Sequence, residues 1–435
     1  MKMYRHIINR LIAAVLTMSV LCSCEKWFGR EEVKDSDDVL LLYSAGFNSL
    51  SSFLKGDFND LKKGYVPPKE NGGDVLLAYM HVKNSDGSRP VLMRLYKDRD
   101  GVVVTDTLKV YEEGTVSASS VQLGQVLGYV RDNFPAKKYG MIFSSHATGW
   151  LPAGYYTHEE EYENGEFPKA RLFSASGYPQ PVPYRAPEYD PSHPLTKSIG
   201  QDAVGAMSYE IELADFAAAI PMHLEYILFD ACLMGGIEVA YQLRNVCDKV
   251  GFSQAEVLAE GFDYTTLTNH LFLMEEPAPE KVCEDYFEYY DALSGIERSA
   301  TVSCIDCGGL DRLAQVCGEL FSSYSDRLDS LDPGKVQRYY RSSYHWFYDL
   351  ESILTEAGVT PAELVELQYA LDGCILYKAA TPSFMGSFRI DTFSGFSMFL
   401  PSDGGDRLKQ FYRTLDWNKA TGLVKLNILS IYAAP

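Results

Sequence analysis

The stretch Tyr226-Ile-Leu-Phe-Asp-Ala-Cys-Leu-Met-Gly-Gly-Ile-Glu-Val-Ala240 decides the fold. An apolar run stops at Asp230-Ala-Cys232, crosses Gly235-Gly236, and resumes with Ile237, Ala240 and Tyr241 at helical spacing. A short β-rich run followed by glycines and a period near 3.6 predicts a buried parallel strand that feeds a helix. Open α/β sheets bind ligands in the crevice at the carboxyl ends of such strands, and Cys232 falls there. Side chains alternate along a strand, so Asp230 and Cys232 point to the same side. An acid and a thiol thus share one space.

The same logic recurs upstream. Tyr139-Gly-Met-Ile-Phe-Ser-Ser-His146 is an apolar strand with a reactive side chain at its carboxyl end. Residues 39–46 read as a first central strand, followed by a helix through Leu61 with Phe53, Leu54, Phe58 and Leu61 on one face. Residues 74–82 form a further strand. Residues 90–96 and 102–111, joined across Asp98-Arg-Asp-Gly101, form a hairpin. Residues 117–134 are amphipathic, with a cap at Ser117 and a stop at Pro135.

Residues 212–220 read as a short helix and residues 250–257 as another strand, followed by the acidic Glu256 and Glu260. Helical patterns occupy residues 279–293, 310–328 and 336–356, and another helix begins near Pro361. Residues 300–303 and 393–400 are strand-like, and the chain after Asp406 is helical and aromatic. Between the two reactive strands, residues 151–200 are rich in Pro, Tyr, Gly and charge without sustained period, a length that marks a functional or disordered loop. Domain organisation follows: a signal at 1–23, a charged tether at 24–38, an α/β core at 39–275 holding the 151–200 loop, and a mainly helical region at 276–435 that completes the fold.

The amino end has basic residues (Lys2, Arg5, Arg10), an apolar stretch shorter than the roughly 20 residues of a spanning helix, and Leu21-Cys-Ser-Cys24. It resembles a bacterial lipoprotein signal, which implies lipidation at Cys24 and export to a cell envelope membrane on its periplasmic or outer face. Lipid chains at one terminus would tether a domain that stays in solution. The chain is 46% hydrophobic and carries a net charge of -20. It therefore lacks the basic surface whose counterion release drives nucleic-acid binding, while an acidic surface steers cationic peptides.

Nine cysteines are present. Removing Cys22 with the signal and Cys24 to lipid leaves an odd set, which in an oxidising compartment means at least one free thiol. Cys304-Ile-Asp-Cys307 lacks the second pair a zinc site needs, so buried thiols are the plainer reading.

A histidine and a cysteine at neighbouring strand ends make a pair in which the thiolate attacks and the imidazole carries the proton. Ser145-His-Ala-Thr-Gly-Trp-Leu-Pro152 and Asp230-Ala-Cys-Leu-Met-Gly-Gly-Ile-Glu-Val-Ala-Tyr-Gln-Leu243 resemble the histidine and cysteine motifs of the clostripain family of cysteine peptidases. Tyr348-Asp-Leu350 and Ser394-Gly-Phe-Ser-Met-Phe-Leu-Pro401 are weaker matches in family order. The resemblance implies a caspase-like, mostly parallel sheet flanked by helices, with His146 and Cys232 as the dyad and cleavage after Arg or Lys. It makes Asp230 a pocket residue, since a buried carboxylate selects a guanidinium or ammonium, with Glu260 a second acid.

Backbone amides of Ala147 and Cys232 would form the oxyanion hole. The family usually has Gly where Ala147 stands, and positive φ there would strain alanine. Maturation by self-cleavage in the 151–200 loop would use Lys169 or Arg171. No cofactor is implied. Calcium affects some members, but the acidic run at 158–163 lacks calcium-loop spacing. The other class of function the sequence allows is an inactive peptidase-like lipoprotein that binds or scaffolds at the surface.

Overall fold

The computed structural model describes residues 35–83, 89–166, 181–185, 194–196, 202–204, 207–341 and 345–425. A nine-stranded sheet runs through it. Its strands are β1 (Ser36–Gly46), β2 (Val75–Val82), β3 (Val91–Lys97), β4 (Val103–Val110), β5 (Ala136–Ser145), β6 (Leu224–Asp230), β7 (Cys247–Phe252), β8 (Thr301–Asp306) and β9 (Ile375–Ala380). The order is β9-β8-β7-β6-β5-β1-β2-β3-β4.

From β7 through β2 the neighbours pair in parallel. Two antiparallel strands close each edge. The interior strands read as continuous apolar runs because both faces are covered: Leu40, Leu76, Leu77, Ile142, Ile227 and Leu228 have no exposed surface. Burying a side chain of this size contributes about 1.5–3 kcal/mol.

Helices α1 (Ser51–Leu61), α2 (Ser120–Asn133), α3 (Leu213–Ala218), α4 (Ile237–Leu243), α5 (Pro279–Asp291) and α6 (Leu310–Leu328) cover the sheet. On one face α1 packs on β1 and β2, and α5 on β7, β8 and β9. On the other, α2 contacts α3 and α3 contacts α4. Phe143 of β5, Phe229 of β6 and Phe216 of α3 meet there as an aromatic cluster. Among the described residues no helix is long and apolar enough to cross a membrane.

Several elements differ from the sequence reading. The first strand begins at Ser36, inside the stretch read as tether, where the Ser36 N–H donates to the Pro135 carbonyl at 2.8 Å. The α2 cap is Ser119, whose hydroxyl accepts from Gln122 N–H at 3.2 Å. Ser117 instead accepts at its carbonyl from the Tyr43 hydroxyl and pairs its own hydroxyl with His81 Nδ1 and Tyr79.

Residues 336–356 are not one helix. Trp346 takes a φ of 82°, Tyr348–Asp349 pairs antiparallel with Ser397–Met398, and only Leu350–Glu356 is helical. The Asp349 side chain caps that helix by accepting from Ser352 N–H at 2.9 Å. Burial of Tyr339, Trp346, Phe347 and Tyr348 overrides the helical period. The region read as mainly helical also supplies β8 and β9 to the main sheet.

All seven cysteines of the described residues are buried, and none of them is in a disulfide. The C-x-x-C pair is split. The Cys304 thiol is pushed up by burial and by neighbouring Cys283, and the Cys247 thiol by its hydrogen bond with Cys307 and by burial.

Candidate active site

The parallel ladder of β5 and β6 ends at the rung Ser144↔Asp230. His146 and Cys232 each lie two residues beyond it, past the ends of β5 and β6, in the loops that follow the two adjacent strands. The loops that follow also touch. Gly149 has φ +63°, and a Cβ there would lie 2.5 Å from the Leu233 carbonyl oxygen, so only glycine permits this approach. Leu233 itself has φ +62°, a conformation an L side chain adopts at a cost and retains only where its surroundings enforce it. The turn after Cys232 is thus held, not relaxed.

Its braces come from the carboxyl-terminal part of the chain. Gly235 N–H donates to the Ser253 carbonyl at 2.7 Å, and Ser397 N–H donates to the Gly235 carbonyl at 2.8 Å. The Ser397 segment is fixed by Asp349, which accepts from Ser394 N–H, Ser394 Oγ and Tyr339 hydroxyl, each at 2.7 Å. The two weaker sequence matches, around Asp349 and Ser394, therefore meet each other and support the cysteine turn. Behind it, burial pushes the Glu238 carboxyl up to about 7, although Phe399 N–H and the Tyr412 hydroxyl donate to it.

Cys232 has no exposed surface. Its Sγ accepts from Val257 N–H at 3.0 Å and lies 3.6 Å from the Val257 carbonyl oxygen. His146 is buried, with Nε2 3.2 Å from Ser49 Oγ of the loop after β1. A small cleft opens beside it, lined by His146, Ala147, Phe143, Phe216, Phe229 and Met234 among others. Ala147 is absent from the residues with positive φ, so the alanine carries no left-handed strain.

Asp230 is buried, and its Oδ2 accepts from Ser144 Oγ at 3.1 Å and the Tyr264 hydroxyl at 2.8 Å. The phenol of Tyr286 on α5 is held above its usual range by burial, then by the charges of Asp230 and Cys232, so both residues lie within electrostatic range of that helix. Glu260 is exposed, within electrostatic range of Tyr290.

Sequence reasoning gave no role to Glu256, which is buried and paired with Arg341 one residue before Val257. Its position in the acidic stretch was visible, but its partner, 85 residues away, was not. Cys24, Lys169 and Arg171 lie outside the described residues. From the 151–200 loop, Thr196 forms an antiparallel bridge with Leu258, and Ala259 N–H donates to the Leu195 carbonyl at 2.9 Å. Part of that loop is thus bridged to the residues next to Val257, which contacts Cys232. Among the described residues no group of three or more ligating side chains could hold a metal ion.

The family model described as the clostripain family matches residues 42–160 and 186–423. Among solved structures, an inactive zymogen C11 protease from Parabacteroides distasonis is 25% identical, with a TM-score of 0.70 over 89% of this chain and 99% of that one. A secreted C11 cysteine protease from Bacteroides thetaiotaomicron is 22% identical, with a TM-score of 0.68 and the same coverage. Another Bacteroides thetaiotaomicron structure, a secreted C11 cysteine protease in complex with an irreversible peptide inhibitor, is 23% identical, with a TM-score of 0.67, again over 89% of this chain and 99% of that one. No curated protein matches the chain.

Proposed function

The chain belongs to the clostripain family and is a cysteine peptidase, and from that premise we propose that it is an exported endopeptidase whose dyad is Cys232 and His146. The observation that carries this reading is that the two residues follow the Ser144↔Asp230 rung of adjacent parallel strands by two positions each. In the proposed reaction Cys232 Sγ, as thiolate, attacks the scissile carbonyl, and the amides of Ala147 and Cys232 receive the developing oxyanion. His146 gives its proton to the leaving amine, and water then hydrolyses the thioester. Ser49 would orient the imidazole through its 3.2 Å contact with Nε2.

The proposed substrate is a peptide or protein with Arg or Lys at P1. The buried carboxylate of Asp230 on the Cys232 side of the strand supports that preference, and Glu260 adds negative charge at the rim. Complete burial of Cys232, with residues 195–196 strapped beside it, supports maturation by self-cleavage in the 151–200 loop, for which Lys169 and Arg171 are the candidate bonds. Export and lipid attachment at Cys24 rest on the amino-terminal sequence, and two of the similar structures are of secreted proteases.

The test is hydrolysis of fluorogenic peptides ending in Arg, Lys or a neutral residue by protein lacking residues 1–24, beside Cys232→Ala. Cleavage after Arg or Lys that vanishes in the variant supports the proposal. No cleavage of any peptide, even after nicking of the loop with trypsin, removes the dyad and transfers the assignment to a binding lipoprotein.

A further inference from the structure

A carboxylate already holding a guanidinium lies one residue before the backbone amide that bonds the thiol. Glu256 is 6% exposed and immediately precedes Val257, whose N–H bonds Cys232 Sγ at 3.0 Å. Arg341 grips it with both ends of the guanidinium: Nη2 donates to Oε1 at 2.9 Å and Nε to Oε2. Thr196 Oγ1 donates to the same Oε1 at 3.0 Å. The guanidinium lies within electrostatic range of Cys232 and of Tyr156.

A buried carboxylate cannot stay charged without such a partner. A forked donor is the partner that fits it best. Residues 195–196 make one antiparallel bridge and a backbone hydrogen bond with Leu258 and Ala259, the kind of pairing by which an added peptide segment binds through its backbone and presents side chains to pockets. One basic side chain and one extended segment of the chain itself thus fill the space beside the nucleophile.

We propose that Glu256 is a specificity-determining residue that receives the basic P1 side chain, and that Arg341 fills its place until substrate displaces it. This deepens the Arg or Lys preference and rests on it. Asp230 lies deeper, already receiving the Ser144 and Tyr264 hydroxyls, and Glu260 is exposed. Glu256 is the acid that meets a guanidinium at the level of the thiol. A merely structural ion pair would hold Arg341 equally well, so the test must separate selection from stability.

Arginine amide and glutamine amide are titrated calorimetrically into protein lacking residues 1–24, its Arg341→Ala variant and the Arg341→Ala/Glu256→Gln double variant. Opening the site should tighten arginine amide at least ~10-fold, with no gain for glutamine amide, and Glu256→Gln should abolish the gain. Unchanged affinity in Arg341→Ala overturns the proposal.

In parallel, kcat/KM is compared for substrates with Arg or Gln at P1. Glu256→Gln should lower the Arg-to-Gln ratio at least ~10-fold while hydrolysis after Gln persists. An unchanged ratio in an active Glu256→Gln variant overturns the assignment. A parent enzyme with no preference for Arg or Lys removes the P1 reading itself, and the arginine amide titration still judges Glu256. Should Glu256→Gln fail to fold, the comparison of Arg341→Ala with the parent decides alone.

Discussion

Asp349 holds Ser394 through two hydrogen bonds, from the backbone N–H and from the hydroxyl, both 2.7 Å long and both to Oδ2. Asp349 has no exposed surface, so these bonds and those from Tyr339 and Ser352 satisfy a carboxylate that water does not reach. Asp349→Ala removes the acceptor of four donors, the N–H groups of Ser394 and Ser352 and the hydroxyls of Ser394 and Tyr339, and is expected to cost about 3 kcal/mol or more, since each buried donor left without a partner costs about 1–3 kcal/mol. Ser394→Ala removes the hydroxyl alone and should cost about 1 kcal/mol. Thermal unfolding of the two variants checks the ranking; equal effects would remove Asp349 as the brace of the cysteine turn.

Gly149→Ala should disable hydrolysis. Its φ of +63° disfavours alanine by about 1 kcal/mol, and a Cβ at 2.5 Å from the Leu233 carbonyl oxygen forces the histidine loop and the cysteine turn apart. The expected result is a loss of kcat/KM of at least ~100-fold, because small misplacements of reacting groups cost that much. Parallel melting curves separate this from unfolding. Retained activity would mean that the two loops do not set the dyad geometry.

Stability should fall as pH rises through about 9. Burial lowers the pKa of His345, but Asp403 and Glu159 more than offset it and hold it at about 9, above an ordinary value of 6.5. The imidazolium therefore stabilises the fold fully below pH 6.5 and progressively less as pH approaches and passes 9, a contribution of up to about 3 kcal/mol. Unfolding midpoints between pH 6 and 10 should show the decline, and His345→Gln should flatten it. An identical slope in the variant would contradict the pairing.

A second step in the same direction belongs to Glu238, raised from 4.5 to about 7 by burial. Its neutral form favours the fold, so its contribution is complete below pH 4.5 and lost as pH rises through about 7. Glu238→Gln should remove this step and leave the His345 step in place. Melting curves at pH 5 and pH 8 suffice: the variant should gain on the parent at the higher pH, and a constant difference would rule the assignment out.

The central strands and their reactive ends were legible because β5 and β6 are buried on both faces and write themselves as unbroken apolar runs. The helix at Leu310–Leu328 was equally plain from its period. Residues 336–356 were not, since Trp346 adopts a positive φ and Tyr339 turns inward to Asp349, contacts that local periodicity does not carry. Strand β9 escaped as well. It lies at the sheet edge with no fully buried residue, so its apolar signal is weak. At the site, the histidine and cysteine could be read from their motifs. The ion pair of Glu256 depends on a contact 85 residues long and leaves no trace in either segment.

The burial of every cysteine in the described residues has a practical consequence. Six of these sulfurs belong to the packing of strands and helices, whereas Cys232 lies just past the end of β6, where the proposed reaction requires it to meet substrate. Sulfur accessibility is therefore a gauge of the molecule's history. On protein lacking residues 1–24, a thiol reagent should find no target on a closed chain, one per chain once the crevice opens, and all seven after denaturation. Counting modified sulfurs by mass would report what fraction of a preparation is competent, without any substrate.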